Sequence, residues 1–151
     1  LRFIVETARR HGLEVMAHAN GEAAILNAAE AGVRSVEHGF FMTEKALNSL
    51  HANGVFWVPT AGALQRAAEQ PEVGHAVKVF VERTIDEHLV LVRKAFEQGV
   101  SLAVGSDAVL PDRRYRSIYE AELTYLLRAG IPSDAIRTIA CEGGKKLLGK
   151  K

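Results

Sequence analysis

Three side chains in this sequence are of the kinds that bind metal ions or move protons, and each stands where a strand-like run gives out. The run Val15-Met-Ala-His18 ends in a histidine, Val33-Arg-Ser-Val-Glu-His38 ends in a second, and Val100-Ser-Leu-Ala-Val-Gly-Ser-Asp107 leads into an acid. A carboxylate at the end of a buried strand is costly without a partner or a task. Imidazole nitrogen and carboxylate oxygen together suit Zn²⁺, Fe²⁺ or Mn²⁺ better than Ca²⁺ or Mg²⁺. Two histidines and one acid form a catalytic set when a position stays open for water. Plainer roles compete: a strand-end histidine can hydrogen-bond a loop, and an Asp after Gly-Ser can cap a turn. The coincidence of all three favours a shared site of His18, His38 and Asp107.

The elements that must position these residues follow a beat. A helix over residues 1–11, with Phe3, Ile4, Thr7 and Ala8 on one face, precedes a strand over Leu13–Ala17. Helix Glu22–Ala31 closes at Gly32, and strand Val33–Glu37 follows. Thr43 N-caps a helix over Glu44–Asn53, and Val55–Val58 is a strand halted by Pro59. Strand ends thus fall at His18, His38 and Val58. Strands alternating with helices imply right-handed βαβ units and a parallel sheet, with sites at the C-terminal strand ends. The beat breaks at an insertion over Ala61–Gly74, after which Val77, Val81, Ile85, Leu89, Val92 and Phe96 mark a long helix ending near Gln98. His88 lies beside that stripe and is read as a packing or surface residue, as is His75. Val100–Val104 is the fourth strand. Helices over Ser117–Ala129 and Asp134–Cys141, the latter N-capped by Ser133, and a last turn over Glu142–Leu148 complete the chain.

Composition narrows the function. Apolar residues make up 48% of the 151, charged residues 25%, and the formal net charge is +1. That is a globular balance in one domain, with no basic excess for nucleic acid and no apolar run long enough to cross a membrane. Cys141 is the sole cysteine, so an internal disulfide is excluded; a buried, unreactive thiol is expected. A reducing compartment is compatible with this, which favours a cytoplasmic setting without deciding it. The chain opens at Leu1 inside a helical pattern, which suggests a segment of a longer protein.

Three stretches carry a family resemblance: Val15-Met-Ala-His-Ala-Asn-Gly-Glu-Ala-Ala, Ala29-Glu-Ala-Gly-Val-Arg-Ser-Val-Glu-His-Gly39 and Leu102-Ala-Val-Gly-Ser-Asp107. They resemble the C-terminal half of the amidohydrolase superfamily, in its imidazolonepropionase-like and Xaa-Pro dipeptidase-like branch. The run from Glu122 through Ala129-Gly-Ile-Pro132 to Leu147-Leu-Gly149 resembles that family's final helices. The resemblance implies strands five to eight of a distorted TIM-like (β/α)8 barrel, in a single partial domain over residues 1–151. It implies His18 as a metal ligand ending the fifth strand. His38, ending the sixth, would be a ligand in two-metal members or a substrate-facing group in one-metal members. Asp107 would end the eighth as metal ligand and general base. The cofactor would be one or two divalent ions, zinc first, with iron or manganese as alternatives. The reaction would be hydrolysis of the C–N bond of an amide, cyclic amide or dipeptide. Arg113, Arg114 and Arg116 could grip a substrate carboxylate, or form a solvated basic loop.

The family's His-x-His pair on strand one and its bridging group on strand four have no counterpart here. The isolated chain is therefore expected to be inactive or weak. The alternative is a non-catalytic half-barrel or assembly module, with exposed strand edges that seek a missing N-terminal half or a second copy.

Overall fold

A computed structural model describes residues 1–108 and 115–150. Helix α1 (Arg2–Arg10) leads to strand β1 (Met16–Ala19), α2 (Glu22–Ala31), β2 (Ser35–His38), α3 (Glu44–Ala52) and β3 (Phe56–Val58). Helices α4 (Ala61–Ala68), α5 (His75–Glu97), α6 (Tyr115–Arg128) and α7 (Ser133–Thr138) follow, then a π-helical turn (Ile139–Gly143) and α8 (Gly144–Leu147). The strands form a parallel sheet in the order β1-β2-β3, with Ala17 opposite Val36 and Val36 opposite Trp57.

Local chemistry sets the helix boundaries. Gly32 closes α2 in the left-handed conformation at φ 77°, which glycine adopts without a Cβ penalty. The Thr43 side chain accepts the Ala46 N–H and caps α3, as its position in the sequence implies. At α7 the cap is Pro132 rather than Ser133, which is already helical. The face of α1 also differs from expectation: Val5 is buried, while Phe3 and Ile4 are exposed. Cys141 is exposed rather than buried, because the chain there is a π-helical turn that sinks Gly143 instead.

The main core lies between the sheet and its helices. Ala19, Val36, Trp57 and Leu102 meet Ile25, Leu47, Leu50 and Val92 there. Ile25, Leu47 and Leu50 are fully buried, each contributing about 2 kcal/mol of hydrophobic stabilisation. The alternate residues, Met16 and His18 on β1 and Ser35 and Glu37 on β2, occupy the opposite face.

The expected fourth strand, Val100–Val104, is reduced to a single bridge between Trp57 and Leu102. The Trp57 N–H donates to the Ser101 carbonyl at 2.9 Å, and the Ala103 N–H to the Trp57 carbonyl at 3.1 Å. The next rung would need a donor at position 59, which is proline. On the other side the Val55 N–H is spent on the Leu50 carbonyl that closes α3. A proline and a helix cap thus confine this pairing to one residue, yet the segment still runs parallel to β3 and delivers Asp107 at the same end of the sheet. Among the described residues no helix is long and apolar enough to cross a membrane.

Candidate functional site

The C-terminal ends of the strands form one rim, and strained backbone marks it. His38, Thr60 and Asp107, which follow or end β2, β3 and the fourth extended segment, have φ of 68°, 48° and 45°. A left-handed β-branched residue such as Thr60 is held only where its surroundings over-determine it, a condition concentrated at functional sites.

His18 projects from β1 on the face opposite the helix core and is exposed. Its Nε2 lies 3.3 Å from the Asn20 Nδ2. The Asn20 Oδ1 accepts the Phe40 N–H at 2.8 Å, and the Gly21 N–H donates to the Phe40 carbonyl at 2.7 Å. Asn20 therefore ties the loop after β1 to the loop after β2 while orienting the His18 ring.

His38 is half-buried and held from three sides. Its Nδ1 is hydrogen-bonded to the Thr60 Oγ1 at 2.7 Å. Its carbonyl accepts the Trp57 Nε1–H at 2.9 Å, which locks the left-handed backbone. Its ring stacks on Phe40, with centroids 6.1 Å apart. The rings of His18 and His38 meet edge to face, centroids 4.4 Å apart. Burial first, then the neighbouring His18, push the His38 pKa below the usual imidazole value, while the Asp107 charge opposes them. A neutral ring with a free lone pair is the form a metal requires.

Behind this pair His88 is buried against Phe40 and Trp57, with centroids at 4.7 and 5.2 Å. Its Nε2–H donates to the Pro59 carbonyl at 3.1 Å, and its Nδ1 has no partner among the described residues. His88 thus braces the turn from which Thr60 holds His38. On β2, Glu37 stands opposite His18 in register. It accepts the Ser35 hydroxyl at 2.5 Å, and burial raises its pKa.

Asp107 is exposed at the rim, and its charge is felt at His38, Glu37 and Glu122. The structure thus brings His18 and His38 into contact. Among the described residues, however, no group of three or more His, Cys, Asp or Glu stands close enough to hold a metal ion. The two rings are in place, and the acid shares their rim without closing on them. As a donor set, imidazole nitrogens with a carboxylate fit zinc, iron or manganese.

Arg116 lies on the first turn of α6, exposed and paired with Glu120 at 2.8 Å; Arg113 and Arg114 lie outside the described residues. Sequence reasoning passed over Asn20, Thr60, the hydrogen bond of Trp57 to His38 and the bracing role of His88. Asn20 carried a local signal, a polar amide two residues beyond a strand-end histidine. The other three act through contacts that only the fold creates.

The model of the amidohydrolase family matches residues 1–151. The ochratoxinase of Aspergillus niger is 29% identical over 109 residues, which cover 71% of this chain and 23% of that protein. A Xaa-Pro dipeptidase crystallised with methionine in its active site superposes with a TM-score of 0.79 at 31% identity, over 98% of this chain and 37% of its own. The crystal structure of A. niger ochratoxinase superposes at 0.81 with 24% identity, over 97% and 33%. The chain therefore spans well under half the length of each of these relatives.

Proposed function

The chain belongs to the amidohydrolase family, and on that premise we propose that it supplies the strand-end site of a metal-dependent hydrolase of C–N bonds. The observation that carries this reading is the contact between the rings of His18 and His38 at neighbouring strand ends, with the His38 pKa held below the usual imidazole value by burial. In this reading residues 1–151 are a single partial barrel domain whose strands correspond to the fifth to eighth.

His18 and His38 would hold the ion, with Asp107 completing the set; zinc is the first expectation, iron or manganese the alternatives, in one- or two-ion form. Such an ion would supply Lewis-acid polarisation of the scissile carbonyl and lower the pKa of a water to about 7. Asp107 takes the proton of the attacking water and delivers it to the leaving nitrogen. His38, steadied at Nδ1 by Thr60, presents its Nε2 either as a ligand or to the oxygen that gains charge. Arg113, Arg114 and Arg116 are retained as a carboxylate grip, although Arg116 is engaged by Glu120. The similarity to a Xaa-Pro dipeptidase supports dipeptides ending in proline as the first small-molecule substrates to try, ahead of cyclic amides.

A second reading has its own support. The outer edge of β1 is unpaired among the described residues, and Met16 on this strand and Leu13 just before it are exposed. Such an edge favours a half-barrel module that works only with a partner chain, the rest of a barrel or a second copy.

Metal analysis of the purified chain and of His18→Ala tests the first reading. Stoichiometric zinc, iron or manganese that the variant loses is the expected result; equal metal content in both, or none in either, sinks it. A mass measurement in solution addresses the second reading, against which a well-folded monomer would count.

A further inference from the structure

A second group of buried polar side chains lies beyond the histidines, where α4, α6 and the loop carrying Asp107 converge. Glu122, on α6, is 5% exposed. Its Oε1 accepts the Gly62 N–H at 2.9 Å, and its carboxylate takes a second backbone hydrogen bond at Ala61. These N–H groups belong to the first turn of α4, where a helix leaves its donors without internal partners. Thr60 precedes them but makes no side-chain cap, so the cap arrives instead from a residue 60 positions away. The approach is close enough that a Cβ on Gly62 would stand 2.5 Å from the Glu122 Oε1 and push the carboxylate aside.

Arg66, one turn further along α4, completes the connection. Its Nη1 is 3.9 Å from the same carboxylate oxygen, and its side chain is 24% exposed. Its Nη2 donates to the Ser106 carbonyl at 2.5 Å. That carbonyl belongs to the peptide that joins Ser106 to Asp107, and Asp107 sits in the left-handed region at φ 45°. A planar guanidinium can serve two acceptors in different directions at once; an ammonium is a single point donor. One carboxylate and one guanidinium therefore join the start of α4, α6 and the peptide that aims Asp107.

We propose that Glu122 and Arg66 are positioning residues for Asp107, fixing through the Ser106 carbonyl the backbone that holds this acid at the rim. The proposal rests on the reading of Asp107 as the acid of the metal site. It accounts for a buried acid on α6 that reaches the start of α4, and for a side-chain hold on a loop that the proline-truncated β-pairing leaves without a ladder.

The test uses the full chain and three variants, Arg66→Ala, Arg66→Lys and Glu122→Gln. Backbone order parameters are read by NMR relaxation at Gly105, Ser106 and Asp107, with β2 as the internal control, and zinc affinity is read by chelator competition. Arg66→Ala should lower the order parameters at these three residues from about 0.85 to below about 0.6 while β2 stays rigid. Arg66→Lys should restore the melting temperature but not the local order. Glu122→Gln should give a smaller local loss. Wild-type order in Arg66→Ala or Glu122→Gln overturns the proposal, as does a uniform loss that includes β2, which would report only lost stability. Full local order in Arg66→Lys counts against the two-acceptor connection. Zinc affinity should weaken wherever local order falls, and unchanged affinity in such a variant overturns the role toward Asp107. If the wild-type chain takes up no zinc, the metal reading fails, while the relaxation data still decide whether Glu122 and Arg66 hold this loop.

Discussion

Acid should unfold this protein through His88, and replacing His88 by glutamine should remove much of that sensitivity. The ring is 3% exposed and wedged between Phe40 and Trp57. Its Nε2–H has the Pro59 carbonyl, but a proton on Nδ1 would find no acceptor among the described residues. Burial accordingly pushes its pKa down to about 4 from 6.5, and the nearby His38 adds to the shift. Above pH 6.5 the ring is neutral in folded and unfolded chains alike, and the stability is whole. Between 6.5 and about 4 the unfolded chain takes up a proton that the folded one refuses, so stability falls as the pH falls. At about 1.4 kcal/mol per unit, the gap is worth about 3 kcal/mol, a large part of a typical domain's 5–15 kcal/mol. Glutamine can still donate to the Pro59 carbonyl but does not titrate. Glu122 titrates over an overlapping range with the opposite sign, so the comparison belongs in the Glu122→Gln background. Urea unfolding at a series of pH values from about 8 to about 4 should show a steep loss with His88 present and a shallow one in His88→Gln. Equal slopes in the two proteins would refute the reasoning, because the buried ring would then not be the group that titrates.

Two further outcomes follow from the geometry. Burial lifts the Glu122 pKa from 4.5 to about 7, so its ionisation costs the folded state stability as the pH rises through that window. Glu122→Gln should therefore gain on the wild type by up to about 3 kcal/mol above neutrality and match it below about pH 4.5; urea midpoints read the difference, and a variant no better at high pH than at low pH contradicts it. Gly39→Ala would place a Cβ 2.6 Å from the Trp57 Nε1 at a backbone φ of 70°. It should cost about 2 kcal/mol or more and change the near-ultraviolet dichroism of the sole tryptophan by displacing the Trp57–His38 hydrogen bond; an unchanged spectrum would mean that this contact does not hold His38.

The chemistry at the rim divides by range. The placement of His18 and His38 at strand ends was legible because periodicity, Gly32 and the Thr43 cap act within a few residues. The shortened fourth strand was not, although its cause, Pro59, was in view: the proline removes a rung from a ladder whose partner lies over 40 residues on. The outward Phe3 and Ile4 and the exposed Cys141 were misread for a related reason, since an apolar pattern says that a face exists and not what covers it.

The sequence by itself determined the alternation of strands and helices, the parallel sheet and the delivery of two histidines and an aspartate to one end. Those are consequences of local backbone preference and hydrophobic period. Tertiary structure alone decided that Thr60 and Trp57 would fix His38, that His88 would be sealed behind it, and that Glu122 would cap a helix 60 positions away. Each of those contacts joins groups with no preference for one another until packing removes water from between them. Once buried, an unpaired polar group is costly, and the fold supplies the partners that the sequence does not display.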